Sequence, residues 1–182
     1  MSRRFAQIAV VLVVAVVAAC GFASIEDHSV DMSSGPVGFP RRVLLVSSED
    51  AAASGSLPLK RCVWVASTAE QRRQGLMNLN SMGNADGMVF VHDRPTSGAF
   101  WMKDTLLPLS IAFFGGDGTF IDAVDMSPCT SGNDSDCLRY PTPANYLLAL
   151  EVRQGELQRF GVDKESTVAL KDRSCSASTM EQ

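Results

Sequence analysis

The chain has 182 residues, 46% of them hydrophobic, and a formal net charge of −4. That length supports one buried core rather than two. No basic cluster is present to neutralise phosphates, because Arg41-Arg42 and Arg72-Arg73 are isolated pairs, so nucleic acid is excluded as a partner.

Arg3-Arg4 form a positive start, Ile8 to Ala19 an apolar run, and Ala18-Ala19-Cys20 a small-residue box closed by a cysteine. Twelve strongly apolar residues fall short of the roughly 20 that span a bilayer core. The segment therefore resembles a cleaved bacterial lipoprotein signal, with residues 1–19 removed and Cys20 lipidated. A plain secretory signal would leave the cysteine directly after Ala-Ala unexplained, and the Ser2-Arg3-Arg4-Phe5 match to a twin-arginine signal is poor. Acyl chains contribute about 0.8 kcal/mol per buried methylene, so several of them make the attachment to a membrane permanent. The expected location is extracytoplasmic, on the bacterial cell membrane. Cleavage removes Arg3 and Arg4 but no acid, which moves the charge from −4 to −6.

Residues 20–40 are rich in Ser, Gly, Pro and acidic side chains and read as a flexible tether. One domain is expected over 41–175, followed by a tail, 176–182. Val43 to Val46 predicts a first strand and Arg61 to Ala66 a second. Ser67-Thr68-Ala69-Glu70 predicts a capping box that starts a short helix ending near Met77. Further strands are expected at Met88–Val91, Ala99–Lys103, Leu109–Phe114, Thr119–Met126, Tyr146–Val152 and Ser166–Leu170. A helical turn over Gln154–Phe160 should end at Gly161. Gly115-Gly116-Asp117-Gly118 reads as a hairpin turn, since no helix follows it to cradle a phosphate. Short strands at close spacing predict a mainly β domain, an antiparallel sandwich or jelly-roll-like barrel with one or two short helices.

With Cys20 lipidated, Cys62, Cys129, Cys137 and Cys175 remain, an even set in an oxidising compartment. Cys129 and Cys137 flank a polar loop whose covalent closure contributes about 2.5 kcal/mol in the chain-entropy model. Cys62 and Cys175 pair by elimination. Zinc and thioredoxin-like roles are disfavoured, because no Cys-x-x-Cys occurs and His28 and His92 are the only histidines. Copper(I) held by Met77, Met82, Met88, Met102 and Met126 is weaker than a core role for those side chains. No cofactor is expected.

Taken as a strand, Phe100 and Met102 point to one face, and Trp101 and Lys103 to the other. That second face offers an indole and an ammonium to a ligand, or equally an amphipathic surface with a Lys stem over Trp. Gly75-Leu76-Met77, Gly87-Met88-Val89-Phe90, Phe100 to Thr105 with Pro108-Leu109, and Tyr146 to Val152 before Gly155 together resemble the ordered signature of the domain of unknown function 192 family. The resemblance covers about 61–170 and implies a compact, mainly β fold, often exported or lipid-anchored, with no agreed activity. Two departures stand out: the family's Pro-Leu-Asp reads Pro108-Leu109-Ser110, and Asn78-Leu79-Asn80 follows Gly-Leu-Met where an Arg is usual. The loop from Cys129 to Cys137 has the character of an insertion.

Lys103, Asp104, Ser110 and Glu151 are the polar groups embedded in the apolar family motifs, and with Trp101 they are the candidate ligand-binding residues. A Lys–carboxylate pair fixing the sheet is the competing structural role. Three functions follow as expectations: a binding module for a small polar ligand or an envelope protein, an envelope carbohydrate hydrolase or lyase using Glu151 and Asp104, or a structural assembly module. No catalytic motif decides among them.

Overall fold

The computed structural model describes residues 35–49, 53–143 and 145–175. The signal segment, Cys20, most of the tether and the tail 176–182 lie outside the described residues. The elements in chain order are β1 (Arg41–Ser48), β2 (Leu59–Ala66), α1 (Ala69–Gln74), β3 (Gly87–Thr96), β4 (Ala99–Trp101), β5 (Leu109–Phe114), β6 (Phe120–Met126), β7 (Arg139–Pro141), β8 (Tyr146–Arg153), α2 (Leu157–Phe160) and β9 (Ser166–Lys171), with a 3-10 turn at Asp134–Asp136. The protein is mainly β, as the strand spacing predicts.

Seven strands form one curled sheet in the order β6-β5-β8-β3-β2-β1-β9, and β4 pairs with β7 in a small second sheet. All neighbours in the large sheet are antiparallel except β2 and β3, which run parallel from Val63 opposite Gly87 to Ala66 opposite Phe90. A parallel pair needs a crossover, and α1 lies on it. The sheet bends until its outer strands meet at one point: Thr119 bridges Thr167, and the Val168 amide donates to the Gly118 carbonyl at 2.8 Å. Gly118 has φ +84, and a Cβ there would lie 2.1 Å from the Val168 carbonyl oxygen. Only glycine permits this closure. The result is a half-barrel.

Both faces of the sheet are covered, which explains why β5 is buried at every position. Alternate side chains divide between two clusters. Leu44, Val46, Val63, Val65, Val89, Ala112, Phe114, Leu150, Val152, Phe160, Val162 and Val168 fill the inside of the curl. The outer face carries Trp64, Met88, Phe90, Ile111, Phe113 and Ala149, overlaid by Leu76, Met82, Met102 and Tyr146. Four of the five methionines considered as copper ligands, Met82, Met88, Met102 and Met126, are buried in that outer cluster. The outer-cluster methionines belong to the core, as expected of unbranched, adaptable side chains.

Both cysteine pairs are bridged. Cys62 in β2 joins Cys175, which follows β9, with Cα atoms 5.7 Å apart. Since β2 and β9 flank β1, this bridge ties together the two neighbours of the first strand. Cys129 and Cys137 close the polar loop, with Cα atoms 5.6 Å apart.

Three local readings differ from expectation. The capping box falls one residue later: the Gln71 amide donates to Thr68 Oγ1 at 3.1 Å, and Gln71 Oε1 accepts from the Thr68 amide at 3.1 Å. That same oxygen also accepts from the Ser67 amide at 3.0 Å, so one glutamine side chain serves both candidate cap residues. Residues 35–40, the end of the expected tether, pack onto the domain. Phe39 is buried in the outer cluster, the Val65 amide donates to the Pro40 carbonyl at 2.9 Å, and Gly35 lies against the Trp64 indole, where a Cβ would come within 2.0 Å. The third difference is β7, three residues too short to carry a periodic signal.

Candidate functional site

Among the described residues, the cover of the outer sheet face leaves a gap. It is a cavity of about 210 Å³ between β3, β8, the C-terminal end of α1 and β4. Its aromatic wall is built by edge-to-face contacts, the arrangement favoured by the ring quadrupole. Phe100 lies 5.2 Å from Phe90 and 5.8 Å from Phe113, and Phe113 lies 5.1 Å from Tyr146. Trp101 and Thr105 complete the β4 side, and Arg72, Arg73 and Gln74 through Met77 form the edge contributed by α1 and the turn after it.

Glu151 lines this cavity. It lies opposite Met88 on β3 and Ile111 on β5, two fully buried apolar side chains, and is itself 5% exposed. The close approach of β3 depends on Gly87, where a Cβ would meet the Glu151 carbonyl oxygen at 2.5 Å. Burial pushes the Glu151 carboxyl up to about 8, and no hydrogen bond or charge among the described residues offsets that burial. The group is therefore a neutral acid at pH 7, able to donate as well as accept. No side-chain polar atom fully sealed from solvent lacks a partner among the described residues. The unpartnered Glu151 carboxyl consequently opens onto the cavity.

Around it, Arg72 is anchored by its Nη1, which donates to the Val91 carbonyl at 2.8 Å and the Ser67 carbonyl at 2.5 Å. His92 is held below its usual range, first by burial and then by Arg72, with Asp93 opposing. Its Nε2 lies 3.4 Å from the Tyr146 hydroxyl, whose phenol is pushed up by burial. With His92 and Glu151 neutral, the two arginines give the cavity a positive balance.

Of the five expected site residues, Trp101 and Glu151 meet at this cavity, and Lys103, Asp104 and Ser110 do not line it. Lys103 is ion-paired with Asp134 of the disulfide-closed loop, and the hydrogen bond to Asp134 raises its pKa. Its ammonium is 6.0 Å from the Trp101 ring centroid, while the Arg139 guanidinium stacks at 3.9 Å. Asp104 adopts φ 52, and its carbonyl accepts from the Asn78 amide at 2.7 Å. This contact ties the β4 segment to the chain after α1. Ser110 shares the inner-face parity of Ala112 and Phe114, away from the cavity. Its hydroxyl donates to Asp125 at 2.5 Å and accepts from the Gly155 amide at 2.8 Å, so this side chain ties β6 to the turn after β8.

Sequence reasoning missed Arg72, Arg73, His92, Phe100, Tyr146 and Arg139 as parts of the site. Phe100, which alternation places on the face opposite Trp101, packs against the outer cluster and also lines the cavity. Arg139 becomes visible only once β7 pairs with β4, placing Arg139 opposite Trp101. Among the described residues, no group of three or more His, Cys, Asp or Glu could hold a metal ion.

The sequence profile of the domain of unknown function 192 family, described as Uncharacterized ACR, matches residues 51–170. No curated protein matches the chain. Two crystal structures resemble the fold. A protein of unknown function from Novosphingobium aromaticivorans is 23% identical, with a TM-score of 0.57 over 70% of this chain and 83% of that one. A candidate transcription regulator from Sinorhizobium meliloti is 24% identical, with a TM-score of 0.58 over 75% of this chain and 98% of that one. At these identities the likeness concerns the fold alone.

Proposed function

Because the chain belongs to the domain of unknown function 192 family, whose description assigns no reaction, we propose its role from the cavity: an extracytoplasmic, lipid-anchored domain that binds a small polar ligand beside Glu151. The observation that carries this reading is a buried carboxyl without a partner, facing a gap walled by Phe100, Trp101 and Tyr146. A buried polar group left unpaired costs stability. A site that keeps such a group open to a cavity of ligand size can recover that cost when a ligand supplies the missing hydrogen bond.

The hydrolase reading is weaker on the same geometry. Glycoside hydrolysis ordinarily uses two carboxyl groups flanking one bond, and among the described residues Glu151 is the single carboxyl lining this cavity. An assembly role calls for a contiguous apolar patch, whereas among the described residues the exposed large apolar side chains Val37, Leu57, Leu59, Leu106, Ile121, Val124 and Leu138 are divided among several loops, the start of β2 and β6. Anchoring rests on the Ala18-Ala19-Cys20 box. Mass spectrometry of membrane-extracted protein should find an acylated Cys20 at the N-terminus, and an intact Met1 or Ser2 end would overturn that part.

The binding claim is tested by a thermal-shift screen of sugars, organic acids and amino acids on the detergent-purified full chain, repeated with Glu151→Ala. Stabilisation that the variant loses supports the reading. Stabilisation equal in both proteins, or none with any compound, counts against it.

A further inference from the structure

We propose that the ligand of this cavity is an organic anion about one ring in size, its charged group at the Arg72–Arg73 edge and its ring against Phe100 and Trp101, with Glu151 hydrogen-bonded at the far wall. This inference rests on the binding reading above and adds the ligand's charge and size.

The size follows from the volume. A cavity of about 210 Å³ lies below the ~300–1,000 Å³ of ligand pockets in general, which leaves room for one ring and its substituents. The wall opposite the sheet supplies half-buried aromatic surface from Phe100 and Trp101, suited to one flat or apolar ligand face. Trp101 is held in place by the Arg139 guanidinium 3.9 Å away, a group that does not line the cavity. The stacking surface is therefore preorganised before a ligand arrives.

The charge follows from the ionisable groups around the cavity. These are Arg72 and Arg73 from α1, His92 from β3, and Tyr146 and Glu151 from β8. Burial and Arg72 keep His92 neutral, and burial keeps Tyr146 and Glu151 protonated at pH 7. Two positive charges remain, both at one edge. Arg72 spends Nη1 on backbone carbonyls, leaving the rest of its planar fork for a carboxylate. Arg73 makes only a long 3.9 Å, exposed contact with Glu70, which holds it weakly. A ligand anion and an ionised Glu151 would repel each other inside a poorly solvated space. Anion binding therefore favours the protonated carboxyl, and affinity must fall as pH rises through the range where Glu151 ionises.

Isothermal titration of the detergent-purified full chain with D-glucuronate, D-glucose and inorganic phosphate, at pH 6.5 and pH 9.5, separates charge from ring. The expected result at pH 6.5 is D-glucuronate binding at least about tenfold tighter than D-glucose, with phosphate weaker than either. At pH 9.5 the glucuronate advantage should shrink, and Arg73→Gln should shrink it at pH 6.5 by weakening glucuronate more than glucose. Circular dichroism verifies that this exposed substitution leaves the fold intact. Glucose binding as tightly as glucuronate, or a glucuronate advantage indifferent to both pH and Arg73→Gln, overturns the anion inference and leaves the binding reading standing. Phosphate binding alone overturns the ring requirement. No binding by any of the three overturns the inference, and the loss of every hit in the thermal-shift screen would be needed to remove the binding reading as well.

Discussion

The two faces of the curled sheet are built from the same strands and differ in how completely they are sealed. On the inner face, Val63, Val89, Ala112, Phe114, Leu150 and Val152 converge on one another and are closed by the contact between β6 and β9. The buried polar side chains that share this face, Ser110 and Ser166, are both hydrogen-bonded. On the outer face the cover is assembled from separate pieces, α1 with its following turn and the β4–β7 ribbon, and these leave a cavity with a carboxyl at its wall. Adjacent positions on β8 show the contrast most sharply. Leu150 and Val152 point inward as packing residues, and Glu151 between them points to the cavity. The comparison teaches that a continuous curl has few ways to leave a gap, whereas a patchwork cover can keep one open at an uncompensated polar group.

The strongest way to break this contrast is to truncate one aromatic on each face. Phe114→Ala, at a side chain with no exposure, should cost about 3–5 kcal/mol in denaturant unfolding. Phe100→Ala, half-buried against the cavity, should cost clearly less and should weaken ligand binding. Equal losses at the two sites would mean that the outer face is packed as tightly as the inner one.

A second effect depends on pH. The folded Glu151 carboxyl titrates near 8 against an ordinary value of 4.5, so the native state holds more protons than the unfolded chain between those values. Stability is then highest below about pH 4.5 for this group, falls as pH rises toward 8, and levels off above it. The slope is at most about 1.4 kcal/mol per pH unit. Glu151→Gln should remove this component, seen as a flatter dependence of Tm on pH between 5 and 8. An unchanged dependence would show that Glu151 is not buried in its neutral form. The smallest effect concerns the cover itself. Arg139→Ala removes the stacking on Trp101 and should cost about 0.5–1 kcal/mol, with a detectable change in indole fluorescence.

Much of the sheet was legible in the sequence because most strands carry dense apolar runs bounded by turn residues. Leu109–Phe114 and the turn from Gly115 to Gly118 are found where the pattern places them. Apolar runs such as Leu109–Phe114 also explain why alternation could not assign faces beforehand, since both sides of the strand are buried. The parallel pairing of β2 with β3 depends on the crossover through α1, a long-range choice without a local signature. Glu151 was legible as an acid inside an apolar motif, and Trp101 as an aromatic beside charge. Their meeting was not, because they lie on different sheets. Lys103, chosen by the same alternation, turns toward Asp134 in the disulfide loop, a partner 31 residues away. Ser110 illustrates the remaining limit: register sets it on the face opposite Glu151, although both are polar residues embedded in apolar strands.

The central claim is that Glu151 faces the cavity as an unpartnered neutral acid. The direct measurement is an NMR titration of its side-chain carboxyl carbon in the full chain, assigned by comparison with Glu151→Gln. A midpoint near 8 is expected, shifting upward when a bound anion is present. A midpoint near the ordinary 4.5, unmoved by ligand, would contradict the account.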